Sequence, residues 1–384
     1  MRQHVYFSPG MFGFGRLGSY NYFAHVEREL GARFAAAGHE LVPHVIEDLP
    51  TASVRRRATR LAELVGQTAT DDGPIHLLGH STGGLDARLV ASPASTVAAS
   101  LTWLSRLRTV TTMNTPHFGT PLASFFTTSN GQRILAALSV LTVAGLSLGS
   151  TPLAATSVIL GFLRGEGSIL PGRLLDRSVE SMVGMIDDAR SPEVRTFLTA
   201  IQDDQGSMLQ LSPESMDLVA AGFADRPGVR YQSTVSMSPS PKPQRWLETL
   251  GHPMRAVSLS MFFCLHRLTA AHDDRYPCAA MRGTGPWSTD ANEARLAAAL
   301  PETPLEANDG VVPIRSQVWG SLVWAGLADH LDVLGHFRDD RDPDTVAPEL
   351  RHCDWLTSGS EFDRARFSGL MDAIATGMID SVGR

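Results

Sequence analysis

The stretch Gly79-His80-Ser81-Thr82-Gly83-Gly84 sets a serine between glycines. It follows the apolar run Ile75-His76-Leu77-Leu78 and precedes Leu85-Asp86-Ala87-Arg88-Leu89-Val90, which reads as helix. A strand that turns this sharply into a helix leaves no room for a side chain where the two elements cross, so positions 79 and 83 require glycine. Ser81 is left exposed at a sheet edge, in a strained conformation, above a helix N-terminus. The helix dipole and the free N–H groups there favour developing negative charge. A solvated serine in a glycine-rich turn is the bland alternative, and it requires neither the strand before nor the helix after.

The first half of the chain alternates strand and helix. Val5–Phe7, Leu41–Ile46, Ile75–Leu78 and Val110–Met113 read as strands. Tyr20–Ala37 carries Phe23, Val26, Leu30 and Phe34 at helical spacing, with Gly38 just past its end. Val54–Gly66 reads as a helix with arginines on its outer face. This order implies a largely parallel sheet with helices on both faces. Val229–Val235 and Leu322–Ala325 are further strands, and Phe362–Ile379 is an amphipathic helix with Phe367, Leu370, Met371, Ile374 and Met378 on one face.

The middle differs. No charged residue occurs from Ile134 to Leu163. Its length alone would admit a membrane span, but Gly145, Gly149 and Pro152 break it into two shorter pieces and it sits inside the core sequence, which leaves buried core helices or an apolar lid over the site. We expect one domain over residues 1–384, with a helical cap inserted at roughly 122–210.

A serine nucleophile needs a base and an acid to orient that base, and in such a fold the chain order is serine, acid, histidine. His76 and His80 precede Ser81, and His117 lies close to it in sequence, so all three read as structural. The downstream pair is Asp309, in the turn Asn308-Asp309-Gly310, and His330, which follows an apolar strand after a short loop. Both fit strand C-termini, where α/β sites are built. The oxyanion donors are then the amide of Thr82, after the nucleophile, and that of Met11 in the loop Ser8–Phe14.

The formal charge of −7 is spread along the chain with no basic stripe, which argues against nucleic acid. No leader is visible before Val5, so the chain as written reads as cytoplasmic, or as secreted if a leader was removed. Cys264, Cys278 and Cys353 are odd in number and lack metal-ligand spacing, so they read as three thiols, with one disulfide as the alternative but no disulfide framework.

With these pieces placed, the chain resembles the bacterial triacylglycerol lipase family, which has the α/β-hydrolase fold. The matching stretches are Ser8–Phe23, Ile75–Arg88, Val110–Ala123, Leu211–Met216, Asn308–Val312 and Asp329–Asp332, in family order. The resemblance implies an α/β-hydrolase with a mostly parallel central sheet and an inserted helical cap. It also implies carboxylic-ester hydrolysis on lipid-like acyl esters, with transient contact at a lipid interface. It puts Ser81, Asp309 and His330 in the catalytic roles. The chemistry needs no cofactor, but the resemblance implies a structural calcium ion bracing the loop of the base, with Asp332 and Asp290 as ligands. Two features depart from the family. Pro9-Gly10 stands where His-Gly is usual, and His336 stands where an amide side chain is common. Thioesterase, amidase or polyester depolymerase activity would use the same triad. A non-catalytic binding protein of the same fold would not need all three residues.

Overall fold

A computed structural model describes residues 1–11, 16–17, 20–47, 51–98, 101–148, 152–164, 172–185, 206–240, 242, 244–271, 275, 289–300, 302–335 and 358–382. Its main strands are β1 (Arg2–Ser8), β2 (Glu40–Val45), β3 (Ile75–His80), β4 (Leu107–Met113), β5 (Arg230–Met237) and β6 (Ser321–Leu327). They form one sheet in the order β2-β1-β3-β4-β5-β6, and every pairing in it is parallel. Each sequence-expected strand is present; most extend beyond the expected ends, while β2 is shifted back by one residue and β5 starts one residue later. The helices are α1 (Ala24–Ala36), α2 (Val54–Thr68), α3 (Thr82–Ala91), α4 (Pro121–Phe126), α5 (Ser129–Leu148), α6 (Leu153–Leu163) and α7 (Gly172–Met185). They continue with α8 (Gly206–Gln210), α9 (Pro213–Gly222), α10 (Arg245–Glu248), α11 (Pro253–Thr269), α12 (Asp290–Ala299) and α13 (Arg364–Ile379).

Alternation along the strands sorts the side chains into two layers. Val5, Phe7 and Leu78 face one way, into a cluster with Leu30 and Phe34 of α1 and Phe367, Leu370 and Ile374 of α13. Tyr6, Ile75 and Leu77 face the other way, onto Leu61 and Val65 of α2 and Ala87 and Val90 of α3. The sheet is therefore covered on both faces, as a parallel sheet must be. The strand order, with the Ser81 turn between the central β3 and α3, is that of the α/β-hydrolase fold.

Two readings of the sequence need correction. α5 runs through Gly145 to Leu148, so that glycine does not end the helix. One interior glycine costs about 1 kcal/mol, less than the apolar packing of the helix returns. In α2, Arg55, Arg56 and Arg60 do lie on exposed or half-exposed positions, but Arg57 is fully buried.

Helices α4 to α7 occupy the stretch where a cap was expected. α5, α6 and α7 pack on one another, and α6 packs on α11. Ile134, Leu138, Leu141 and Ile159 share a cluster with Met11, Met113, Val311 and Val312. The apolar helices therefore belong to the same core as residues of the loops that carry the candidate site. No helix among the described residues is long and apolar enough to cross a membrane.

Candidate active site

The Ser81 turn is built by contact, not by preference alone. A β-carbon on Gly79 would stand 2.1 Å from the Gly83 carbonyl carbon, and one on Gly83 would stand 2.0 Å from the Ser8 carbonyl oxygen. One on Gly84 would meet Thr115 Oγ1 at 2.0 Å. Crossing this closely forces Ser81 to φ 55°, ψ −127°, a left-handed conformation that a non-glycine residue adopts only under constraint. Ser81 N–H donates to the Met113 carbonyl at 2.8 Å, which ties the turn to the end of β4. Thr82 opens α3, so its amide belongs to the first turn, where N–H groups lack an intrahelical acceptor.

His330 and Asp309 form a buried pair. The His330 Nδ1–H donates to Asp309 Oδ2 at 2.7 Å, and the side chains are 2% and 0% exposed. Asp309 Oδ1 accepts the amides of Val311 at 2.9 Å and Val312 at 2.7 Å, which orients the carboxylate. Asn308 Oδ1 accepts the Gly310 amide, and Gly310 takes φ 96° to close the turn. The His330 amide also donates to the Asp309 carbonyl at 3.0 Å. Ser81 follows the C-terminus of β3, and His330 follows that of β6. The acid loop docks beside β5, where Ser238 donates to the Asn308 carbonyl through both its amide and its hydroxyl. Ser81 and the His330–Asp309 pair thus lie at the same C-terminal edge of the sheet, the edge where open α/β sheets bind ligands.

The loop after β1 brings Met11 to the same edge. A β-carbon on Gly10 would stand 2.8 Å from Ser81 Cβ, so this loop lies directly against Ser81. A network of residues that sequence reasoning missed holds it there. Asp86 Oδ2 accepts Arg57 Nε–H at 2.9 Å and the Ser8 hydroxyl at 2.7 Å. Arg57 Nη2 donates to the Pro9 carbonyl. Both members of this ion pair are fully buried. The signal was present in the sequence: Asp86 and Arg88 are the two charges of an otherwise uncharged helix, where each needs a partner.

His76 and His117 are buried in structural roles. His76 bridges Thr109 and Gln3, and burial, helped by nearby cations, pushes its pKa down to about 3. His117 Nδ1 accepts from Arg88, and burial first and then that guanidinium push its pKa well below the usual histidine value. His80 is also buried, but it lies against His330: its ring centroid is 4.8 Å from that of His330. Cys264 is a free, half-buried thiol. Cys278, Cys353 and His336 lie outside the described residues.

The expected calcium pair does not come together. Asp290 opens α12 and is exposed, and Asn292 of that helix binds the backbone at Gly320 and Leu322. Asp290 is therefore at the start of β6. Asp332 lies beyond the other end of that strand, roughly 20 Å away for seven residues at about 3.3 Å each. The Asp332 carboxylate is engaged within the protein. Its Oδ2 accepts the Asp329 amide at 2.8 Å and the Ser360 hydroxyl at 2.5 Å. Among the described residues no group of three or more His, Cys, Asp or Glu side chains could hold a metal ion. Asp290 and Asp332 do not fit a shared calcium, and the described support for the His330 loop is a set of hydrogen bonds.

No protein-family model matches the sequence, and no characterised relative matches it. Solved structures do align with the chain at low identity. Lipase 1 from Pelosinus fermentans is 17% identical, with 94% of this chain and 97% of that chain covered and a TM-score of 0.46. EstA from Clostridium botulinum is 17% identical, with 96% and 87% covered and a TM-score of 0.45. The lipase of Staphylococcus hyicus is 15% identical, with 98% and 96% covered and a TM-score of 0.44.

Proposed function

We propose that the chain is a serine-dependent carboxylic-ester hydrolase acting on lipid-like acyl esters. The observation that carries the reading is the buried 2.7 Å pair of His330 and Asp309, at the sheet edge where the strained turn presents Ser81. In this reading His330 Nε2 takes the Ser81 hydroxyl proton as Oγ attacks the ester carbonyl. Asp309 holds the imidazole in the Nδ1–H tautomer and stabilises the imidazolium that forms. The Met11 and Thr82 amides receive the oxyanion. His330 then gives its proton to the leaving alcohol. Water, deprotonated by His330, attacks the acyl-enzyme and releases the acid, restoring Ser81. The acyl chain lies against the apolar cap helices between Ile134 and Leu163, whose buried face joins the cluster around Met11 and Val311.

The test is covalent labelling of Ser81 by a fluorophosphonate, together with hydrolysis of nitrophenyl esters of increasing acyl length. The reading expects labelling that Ser81→Ala abolishes, and faster turnover of esters than of matched thioesters and amides. A folded chain that neither labels nor hydrolyses any ester would refute it.

A further inference from the structure

Two buried aromatic side chains beside Ser81 have no step in the reaction above. His80 Nε2 lies 2.8 Å from the backbone carbonyl oxygen of His330. A carbonyl only accepts, so Nε2 carries a proton. His80 Nδ1 lies 2.8 Å from the Tyr22 hydroxyl. The Tyr22 oxygen is also hydrogen-bonded to the backbone of Gly10, whose N–H only donates. One arrangement pairs every donor with an acceptor. Gly10 N–H donates to Tyr22 Oη, Tyr22 O–H donates to His80 Nδ1, and His80 Nε2–H donates to the His330 carbonyl. Tyr22, His80 and His330 are 2%, 0% and 1% exposed, so water does not substitute for any link.

This chain starts one residue before Met11 and ends on the base. It passes alongside Ser81: a β-carbon on Gly10 would stand 2.8 Å from Ser81 Cβ, 3.2 Å from Tyr22 Oη and 3.3 Å from His80 Nδ1. A second donor, Asn114 Nδ2, reaches the His330 carbonyl only at 3.5 Å, so His80 is the close one.

Building on the ester-hydrolase reading, we propose that Tyr22 and His80 are positioning residues that hold the oxyanion loop and the base in register across Ser81. Attack moves a proton onto His330 while negative charge grows at the Met11 amide, so both loops must be placed at the same moment. A misplacement of about 1 Å at either costs on the order of 10²-fold in rate. The direction of the hydrogen bonds matters as much as their presence. The Nδ1–H tautomer would leave Nε2 bare against the His330 carbonyl, acceptor against acceptor.

Three variants separate the links. Tyr22→Phe removes the middle of the chain. His80→Gln keeps an amide N–H near the Nε2 position and so keeps the bond to His330. His80→Asn keeps a partner for Tyr22 but cannot reach His330. For a soluble nitrophenyl ester, Tyr22→Phe is expected to lower kcat by about tenfold or more with KM changed less than about twofold. His80→Gln is expected to retain several-fold more kcat than His80→Asn, and Tyr22→Phe in the His80→Asn background should cost little more. Folded variants with wild-type kcat, or His80→Asn equal to or better than His80→Gln, overturn the proposal. If the variants do not fold, 15N NMR of histidine-labelled wild-type protein decides it, because His80 must be the Nε2–H tautomer and an Nδ1–H tautomer overturns the proposal. A wild-type chain that neither labels with fluorophosphonate nor hydrolyses ester overturns the ester-hydrolase reading and the relay with it. A wild-type chain that does both, matched by its folded variants, overturns the relay alone.

Discussion

Replacing Asp86 by Ala tests how the oxyanion loop is held. The carboxylate sits at zero exposure against Arg57 at 2.9 Å, also at zero exposure. Removing it leaves a guanidinium buried without its counter-charge, a loss of about 3–5 kcal/mol. Unfolding entropy is about 2.1 cal/mol/K per residue, or about 0.8 kcal/mol/K for 384 residues. The melting temperature should then fall by about 4–6 °C. Activity should fall further than the melting curve explains, because Arg57 also holds the Pro9 carbonyl, two residues before Met11. Losing the placement of one oxyanion donor costs about 10²–10³ in kcat. The decisive comparison is the double variant Arg57→Met/Asp86→Leu. Replacing a whole buried ion pair by apolar side chains is often neutral or stabilising, so its melting temperature should recover. Its kcat should not, since the Ser8 hydroxyl and the Pro9 carbonyl have lost their anchors. Differential scanning calorimetry and single-turnover acylation of the three proteins read both quantities. Full recovery of kcat in the double variant would refute the bracing argument, and an unchanged melting temperature in Asp86→Ala would refute the burial argument.

Ser81→Ala and His330→Ala should each cost about 10⁴-fold or more in kcat, with the double variant little worse than either, because the residues act as a unit; strongly additive losses in steady-state assays would refute the triad. Asp309→Asn should be severe but milder, and near-wild-type rates would move the acid's role elsewhere. Leu141 and Ile159 are both at zero exposure, so Leu141→Asp and Ile159→Asp should lower the urea midpoint by several kcal/mol of stability and depress short- and long-chain ester turnover together; a folded variant that loses only emulsified long-chain turnover would show that this face opens. His76 titrates at about 3 when folded, against 6.5 for an unburied histidine. Its folded pKa is depressed, so it contributes no pH dependence above about 6.5, and stability falls as pH drops from there toward 3, by on the order of 4 kcal/mol in all. Urea titrations of wild type and His76→Gln should diverge in that window, and parallel curves would refute the assignment.

What could be read from the sequence divides along a physical line. The Ser81 turn was legible because its cause is local: glycines 79 and 83 answer contacts made within a few residues and with the adjacent β1. The strands were legible because a strand buried on both faces reads as a short apolar run by itself. That Asp309 and His330 would lie together was legible because each sits in a short turn or loop next to a strand end. The calcium pair misled because spacing along the chain carries no information about which end of a strand a residue occupies. Asp290 and Asp332 fall at opposite ends of β6. Arg57 misled for a related reason. Three of its neighbours in α2 are arginines that do reach solvent or near it, and only the packing of α2 on α3 shows that position 57 turns inward. Its partner lies 29 residues away, and the His80 link to His330 spans 250.

One inference of this kind was nevertheless open. α3 is buried along almost its whole length, yet it carries Asp86 and Arg88. Charges on a buried helix each require a partner, so two partners were implied before any coordinates. Asp86 finds Arg57. Arg88 finds no carboxylate at hydrogen-bonding distance among the described residues; it stacks over Trp319 at 3.3 Å and donates to His117 at 2.8 Å, and burial lowers its pKa to about 9. The first partner ties down the loop after β1 through the Pro9 carbonyl, and the second holds the loop that follows β4. A helix that must be apolar to pack against the sheet keeps two charges because each anchors a loop next to Ser81.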